Sequence, residues 1–230
     1  MSWYRAFQLT LRPWVHAIAK LEVVGKSNIP ASGPFVLVAN HQSYLDPIIV
    51  QAICPRPLHT LAKSTQFTGR FMSWVMPRVC AIPTRRYRIE PQAVRVMLRR
   101  LSEGKAVGVY PEGERSWDAE LQPFRRGTLR VLMKAGVPII PCGLAGPYDV
   151  WPRWSKIIRR LRIRVEFGEA IRWPAMDDRE ERNAFLPEAN RQLRERLAEL
   201  SAWKHLNDAS GRPVKRPSED QLPSWLNDHA

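Results

Sequence analysis

Twice along this chain a short apolar run ends in a polar loop that leads into a helical segment. Phe35-Val36-Leu37-Val38-Ala39 gives way to Asn40-His41-Gln42-Ser43-Tyr44-Leu45-Asp46, and Ile48 to Ile53 continues as a helix until Cys54-Pro55-Arg56-Pro57 stops it. Ala106-Val107-Gly108-Val109 gives way to Tyr110-Pro111-Glu112-Gly113-Glu114-Arg115-Ser116, and a helix over 127–135 follows, closed by Gly136. Repeated strand-then-helix units imply an α/β fold, one domain with a mixed, partly parallel sheet flanked by helices. Sites in such sheets gather at the carboxyl ends of the strands. His41 and Arg115 are both expected there.

The remaining elements fit the same plan. Leu21-Glu22-Val23-Val24 reads as a short strand, 59–62 as a strand leading to Lys63, Ile139-Ile140 as another, and the alternating 161–167 as a half-buried one. Pro91 to Glu103 carries Val94, Met97, Leu98 and Leu101 on one helical face and ends at Gly104. In 67–79, Phe67, Phe71, Trp74 and Val75 recur at helical spacing, a stripe that belongs to a core or lines a groove. A charged helical region over 177–200 is expected to break at Pro187, with Leu193, Leu197 and Leu200 facing inward. The division is then an amphipathic segment over 1–20, one domain over 21–206, and a polar, Pro-rich, disordered tail over 207–230.

Charge narrows the partners. With 36 Lys and Arg against 22 Asp and Glu the net charge is +14, which favours polyanions: an anionic membrane surface, a phosphorylated substrate or nucleic acid. A basic nucleic-acid module would explain the charge but requires aromatic-basic recognition strands, which do not occur, so no nucleic acid is expected. Trp3, Phe7, Leu11, Trp14 or Val15, and Ile18 recur at helical spacing beside Arg5, Arg12, Lys20 and Lys26, with Pro13 expected to split the segment. Such a helix suits a bilayer interface or docks on its own core. A second mixed tryptophan-basic stretch runs from Tyr148 through Trp151, Arg153 and Trp154 to Arg162. No secretory signal and no run of about 20 apolar residues occur, so a peripheral place on the cytoplasmic face of a membrane is expected. Cys54, Cys80 and Cys142 lie far apart without metal-ligand spacing, and no metal is expected.

His41 and Asp46 carry the chemistry. A neutral imidazole accepts a proton through one nitrogen only while the other keeps its hydrogen, and Asp46 is placed to hold it. Residues five apart do not share a helical face, so the pair meets only if the chain between them turns tightly. Alternatively Asp46 caps a helix whose first position is Pro47.

The same residues fall into ordered blocks. Asn40, His41 and Asp46 come first; Tyr110, Pro111, Glu112, Gly113, Arg115 and Ser116 follow, then Phe124-Arg125-Arg126-Gly127 and Val137-Pro138-Ile139-Ile140-Pro141. In these blocks, across about residues 35–145, the chain resembles the glycerolipid acyltransferase family, whose best-known member acylates 1-acyl-glycerol 3-phosphate (lysophosphatidic acid). The family's second block reads Gly-x-Ile-x-x-Asp/Asn-Arg; here Cys80-Ala81-Ile82-Pro83-Thr84-Arg85-Arg86 keeps Arg86 but substitutes Cys80 and Arg85. Glu114 stands where the third block has Thr. Both departures bear on the acceptor.

The resemblance implies an enzyme that moves a fatty acyl group from acyl-CoA or acyl-carrier protein to the free hydroxyl of lysophosphatidic acid, giving phosphatidic acid. Another lysolipid, a lyso-ornithine lipid or a lysophosphoglyceride, is the alternative acceptor. It implies His41 as general base and Asp46 as its orienting partner. Arg115 would grip the acceptor phosphate with Arg86 assisting, and Glu112 would position Arg115 or the acceptor. Gly113 and Ser116 complete that loop, and Lys63 would lie beside the acceptor pocket. A thioester is already activated, so neither a covalent acyl-enzyme nor a cofactor is expected.

Overall fold

The computed structural model describes residues 3–84, 91–153, 155–174, 176 and 178–202. Arg85, Arg86, Trp154 and the 207–230 tail lie outside the described residues. In chain order the elements are α1 (Trp3–Ile18), β1 (Lys20–Val24), β2 (Phe35–Ala39), α2 (Leu45–Ile53), β3 (Leu58–Lys63), α3 (Arg70–Arg78), β4 (Ala81–Thr84), α4 (Pro91–Ser102), β5 (Ala106–Val109), α5 (Arg126–Ala135), β6 (Ile139–Ala145), α6 (Pro147–Val150), β7 (Arg162–Phe167) and α7 (Arg179–Ser201). The strands form one seven-stranded sheet in the order β1-β7-β6-β2-β5-β3-β4. Every neighbouring pair is parallel except β6 with β7. This is the expected α/β architecture with a mixed sheet.

The uninterrupted apolar runs are explained by burial on both faces. Every residue of β2, β5 and β6 is buried. Along β2 the side chains alternate between two clusters. Phe35, Leu37 and Ala39 join Val15 of α1 and Leu45, Ile49 and Ile53 of α2. Val36 and Val38 join Met97 and Leu101 of α4, Leu129 and Leu132 of α5, and Leu193 and Leu197 of α7. Helices therefore cover both faces, as a largely parallel sheet requires.

Two prolines sit inside continuous helices where breaks were expected. Pro13 lies within α1 and Pro187 within α7. Each proline and the residue four positions before it, Leu9 and Asn183, are exposed, so the carbonyl that loses its helical N–H partner faces water. On α1 the buried face is Tyr4, Gln8 and Val15, flanked by Leu11 and Ile18, while Trp3 and Trp14 point outward. The expected 67–79 helix is instead a single 3-10 turn and then α3, separated by Thr68 and Gly69. Its stripe is not core: α3 has no buried residue, and Phe71 is 72% exposed.

α7 packs on β6 at closest range where Gly143 has no side chain. A Cβ at Gly143 would stand 2.3 Å from the carbonyl carbon of Leu200, a backbone atom. Gly143→Ala is therefore expected to push the end of α7 off the sheet and to lower stability by about 1–3 kcal/mol. A thermal melt checks this, at about 2–4 °C of lowered midpoint per kcal/mol.

Candidate active site

β2 and β5 are neighbours in register, with Val38 opposite Val109, so their carboxyl ends deliver the two polar loops side by side. Asn40 extends the sheet beyond the last residue of β2. Its Nδ2 donates to the Leu144 carbonyl at 2.9 Å, and its Oδ1 accepts from the Leu144 N–H at 2.7 Å, which ties the first loop to β6.

The next residues wrap around one carboxylate. Asp46 Oδ2 accepts from the N–H of Gln42 at 2.6 Å, from the N–H of Ser43 at 2.7 Å, and meets His41 Nδ1 at 2.7 Å. This tight turn is how residues five apart come into contact. Asp46 does not cap α2. It lies inside the first turn, fully buried, and Tyr44 occupies the cap position without a side-chain hydrogen bond. A carboxylate there also gains from the positive end of the helix dipole. Because a carboxylate only accepts, Nδ1 carries the hydrogen, which leaves Nε2 with its lone pair. The imidazole stacks on Tyr110, with ring centroids 4.3 Å apart.

The second loop braces the first from both sides. Glu112 Oε1 accepts from the His41 N–H at 2.6 Å and Oε2 from the Gln122 N–H at 2.9 Å, while the Ser116 N–H donates to the His41 carbonyl at 2.7 Å. Both Glu112 oxygens thus hold main chain. Burial pushes the Glu112 carboxyl up to about 8, against the two N–H bonds, which favour the charged form. A carboxyl that binds its proton more tightly when folded contributes stability fully below about 4.5 and loses that contribution as pH rises to about 8. The melting-temperature advantage of the wild type over Glu112→Gln is therefore expected to fall as pH rises across that window.

Gly113 adopts φ 73°, a left-handed turn that favours glycine, and the Arg125 side chain lies against its open face. Arg115 is buried, with its guanidinium carbon 3.4 Å from the centroid of the Tyr44 ring. Ser116 Oγ donates to the Glu120 carbonyl at 2.8 Å within its own loop. Lys63 is exposed at the end of β3, and Arg86 lies outside the described residues. Glu114, buried, pairs with Arg153 at 3.3 Å. Among the described residues no group of three His, Cys, Asp or Glu side chains converges to hold a metal. Sequence reasoning left out the stacking of Tyr110 on His41, the Tyr44 cover of Arg115 and the pairing of Arg153 with Glu114; both tyrosines stand within the motif stretches, whereas nothing in spacing links Arg153 to the loop.

Residues 20–145 match the sequence profile of the family described as Acyltransferase. The chain belongs to the acyltransferase family. Among its relatives, the 1-acyl-sn-glycerol-3-phosphate acyltransferase of Bacillus subtilis is 26% identical over 183 residues, covering 78% of this chain and 87% of that one. The chloroplastic enzyme of the same name from Brassica napus is 31% identical over 163 residues, which span 68% of this chain but only 46% of the plant protein. The crystal structure of the 1-acyl-sn-glycerophosphate acyltransferase of Thermotoga maritima shares the fold, with a TM-score of 0.70 at 23% identity over 84% of this chain and 79% of that one. In this acyltransferase the matched segment runs from β1 through β6 and so includes both loops.

Proposed function

We propose that the chain transfers a fatty acyl group from an acyl thioester to the free hydroxyl of lysophosphatidic acid, giving phosphatidic acid, with His41 as general base. The observation that carries this reading is the contact of His41 Nδ1 with Asp46 Oδ2 at 2.7 Å, made by a carboxylate already fixed by two main-chain N–H groups. Nε2 takes the proton of the acceptor hydroxyl as its oxygen bonds to the thioester carbonyl carbon. The C–S bond then breaks, and the thiolate leaves with that proton returned from Nε2. Asp46 stabilises the imidazolium between these steps. No acyl-enzyme forms and no cofactor is assigned, because the thioester brings its own activation. The choice of acceptor rests on the names of the Bacillus and Brassica relatives.

An anionic membrane surface is the proposed source of the acceptor, reached from the cytoplasmic side. Exposed Trp3, Leu9, Trp14, Phe71 and Trp74 on α1 and α3 support it, with Trp3 edge-on to Trp74 at 5.3 Å. No helix among the described residues is long and apolar enough to cross a membrane.

The test is acyl transfer in mixed micelles with radiolabelled acyl-CoA and, in parallel, acyl-carrier protein. Lysophosphatidate competes there against lyso-ornithine lipid and lysophosphoglycerides, with His41→Ala as control. His41-dependent formation of phosphatidate supports the reading and identifies the donor. Transfer to a different lysolipid overturns the acceptor, and absence of any His41-dependent transfer overturns the chemistry.

A further inference from the structure

Trp151 and Arg153, outside the two loops, approach Arg115 and the Tyr44 ring that covers it. Ser43 Oγ donates to the Trp151 carbonyl at 2.7 Å, and the Trp151 ring lies 5.6 Å from that of Tyr44, which in turn covers the Arg115 guanidinium. This brings the segment after α6 onto the active-site loops. Arg153 is its cationic member.

Arg153 is held with its planar group oriented. Its guanidinium carbon lies 3.3 Å from the centroid of a Trp117 ring, and its NH1 donates to Glu114 Oε2 and to the Arg115 carbonyl, each at 3.3 Å. Glu114 is buried, and its Oε1 has no hydrogen-bond partner among the described residues. A nearly buried ion pair at this distance, with one carboxylate oxygen unmatched, is a weak contributor to stability. Its effect is to fix a guanidinium. Arg153 remains 17% exposed, whereas Arg115 is 4% exposed beneath Tyr44, so Arg153 is the more reachable of the two. A guanidinium held in this way keeps the planar fork that suits a phosphate oxygen pair.

We propose that Arg153 is a binding residue of the acceptor site, presenting its guanidinium to the acceptor's phosphate, and that Glu114 is the positioning residue that aims it. This rests on the reading of the acceptor as a phosphorylated glycerolipid. It also gives Glu114, which departs from the family's Thr, a role at this site.

The probe is sn-glycerol 3-phosphate, which carries the phosphate and hydroxyls without an acyl chain, titrated calorimetrically into the full chain and its variants. Loss of a charged hydrogen bond predicts that Arg153→Ala weakens binding at least about tenfold. Arg153→Lys keeps the charge but loses the planar fork and is expected to recover part of that loss. Glu114→Gln is expected to fall between wild type and Arg153→Ala, with the fold of each variant checked by its thermal melt. Equal affinity in Arg153→Ala and wild type overturns the proposal, as does a wild type that does not bind the probe. Arg153-dependent binding without phosphatidate formation in the transfer assay upholds the proposal and rejects the function, so the two failures are separate. As a second readout, Arg153→Ala should raise KM for lysophosphatidate with kcat nearly unchanged. The reverse split counts against a binding role.

Discussion

Acyl transfer by His41→Ala is expected to fall about 10²–10⁴-fold in kcat, the range associated with removing a general base. The ring is the only part of His41 that the change removes. Its N–H still donates to Glu112 and its carbonyl still accepts from Ser116, so the loop keeps its course. Asp46→Asn separates the two halves of the same device. An amide oxygen in place of Oδ2 can still accept from Gln42, Ser43 and the imidazole, so the tautomer survives while the charge that would stabilise an imidazolium in the proposed mechanism is lost. A lowered kcat with little change in KM is expected for both. Circular dichroism confirms the fold, and a kcat for His41→Ala within threefold of wild type would remove His41 from the chemistry.

Glu112→Ala is expected to damage both stability and rate. It leaves the part-buried N–H groups of His41 and Gln122 without their acceptor, at up to about 1–3 kcal/mol for each. The His41 loop loses its anchor, and if His41 is the proposed base, a shift of about 1 Å at a reacting group costs on the order of 10²-fold in rate. A melt and a kcat measurement on the same preparation read the two effects. Glu112→Gln keeps one accepting oxygen but turns an NH₂ toward the second N–H, so it falls between wild type and Glu112→Ala. If Glu112→Ala lowers the melting temperature but leaves kcat intact, Glu112 supports the fold alone.

Much of this arrangement was legible in the residues. The strands β2 and β5 and the polar loops that follow them announced themselves as abrupt changes from apolar to polar, because a strand buried on both faces leaves no other pattern. The pairing of His41 with Asp46 was readable as chemistry but not as geometry. The turn that joins them is made by the main-chain N–H groups of Gln42 and Ser43, which carry no side-chain signature. Glu112 is expected from the sequence to position Arg115 or the acceptor; its hydrogen-bond partners are instead the main-chain N–H groups of His41 and Gln122, which no residue type reveals. Of the two readings of the stripe at Phe71 and Trp74, core or groove lining, the core one fails, because periodicity shows that one face differs from another, not what covers it. Pro13 and Pro187 were misread because a proline is tolerated where the carbonyl it strands can reach water, a fact about the surroundings and not about the residue.

The bracing of His41 at both its N–H and its carbonyl by one loop makes two distant stretches of sequence a single heritable part. Grafting 40–46 from a relative into this chain would seat a foreign turn on a mismatched support. Moving 110–122 with it would carry over Glu112, Ser116 and Gln122 together. Chimeras built on that rule should keep their activity where single-block exchanges lose it, and the boundaries at which function survives would mark the true edges of the catalytic module.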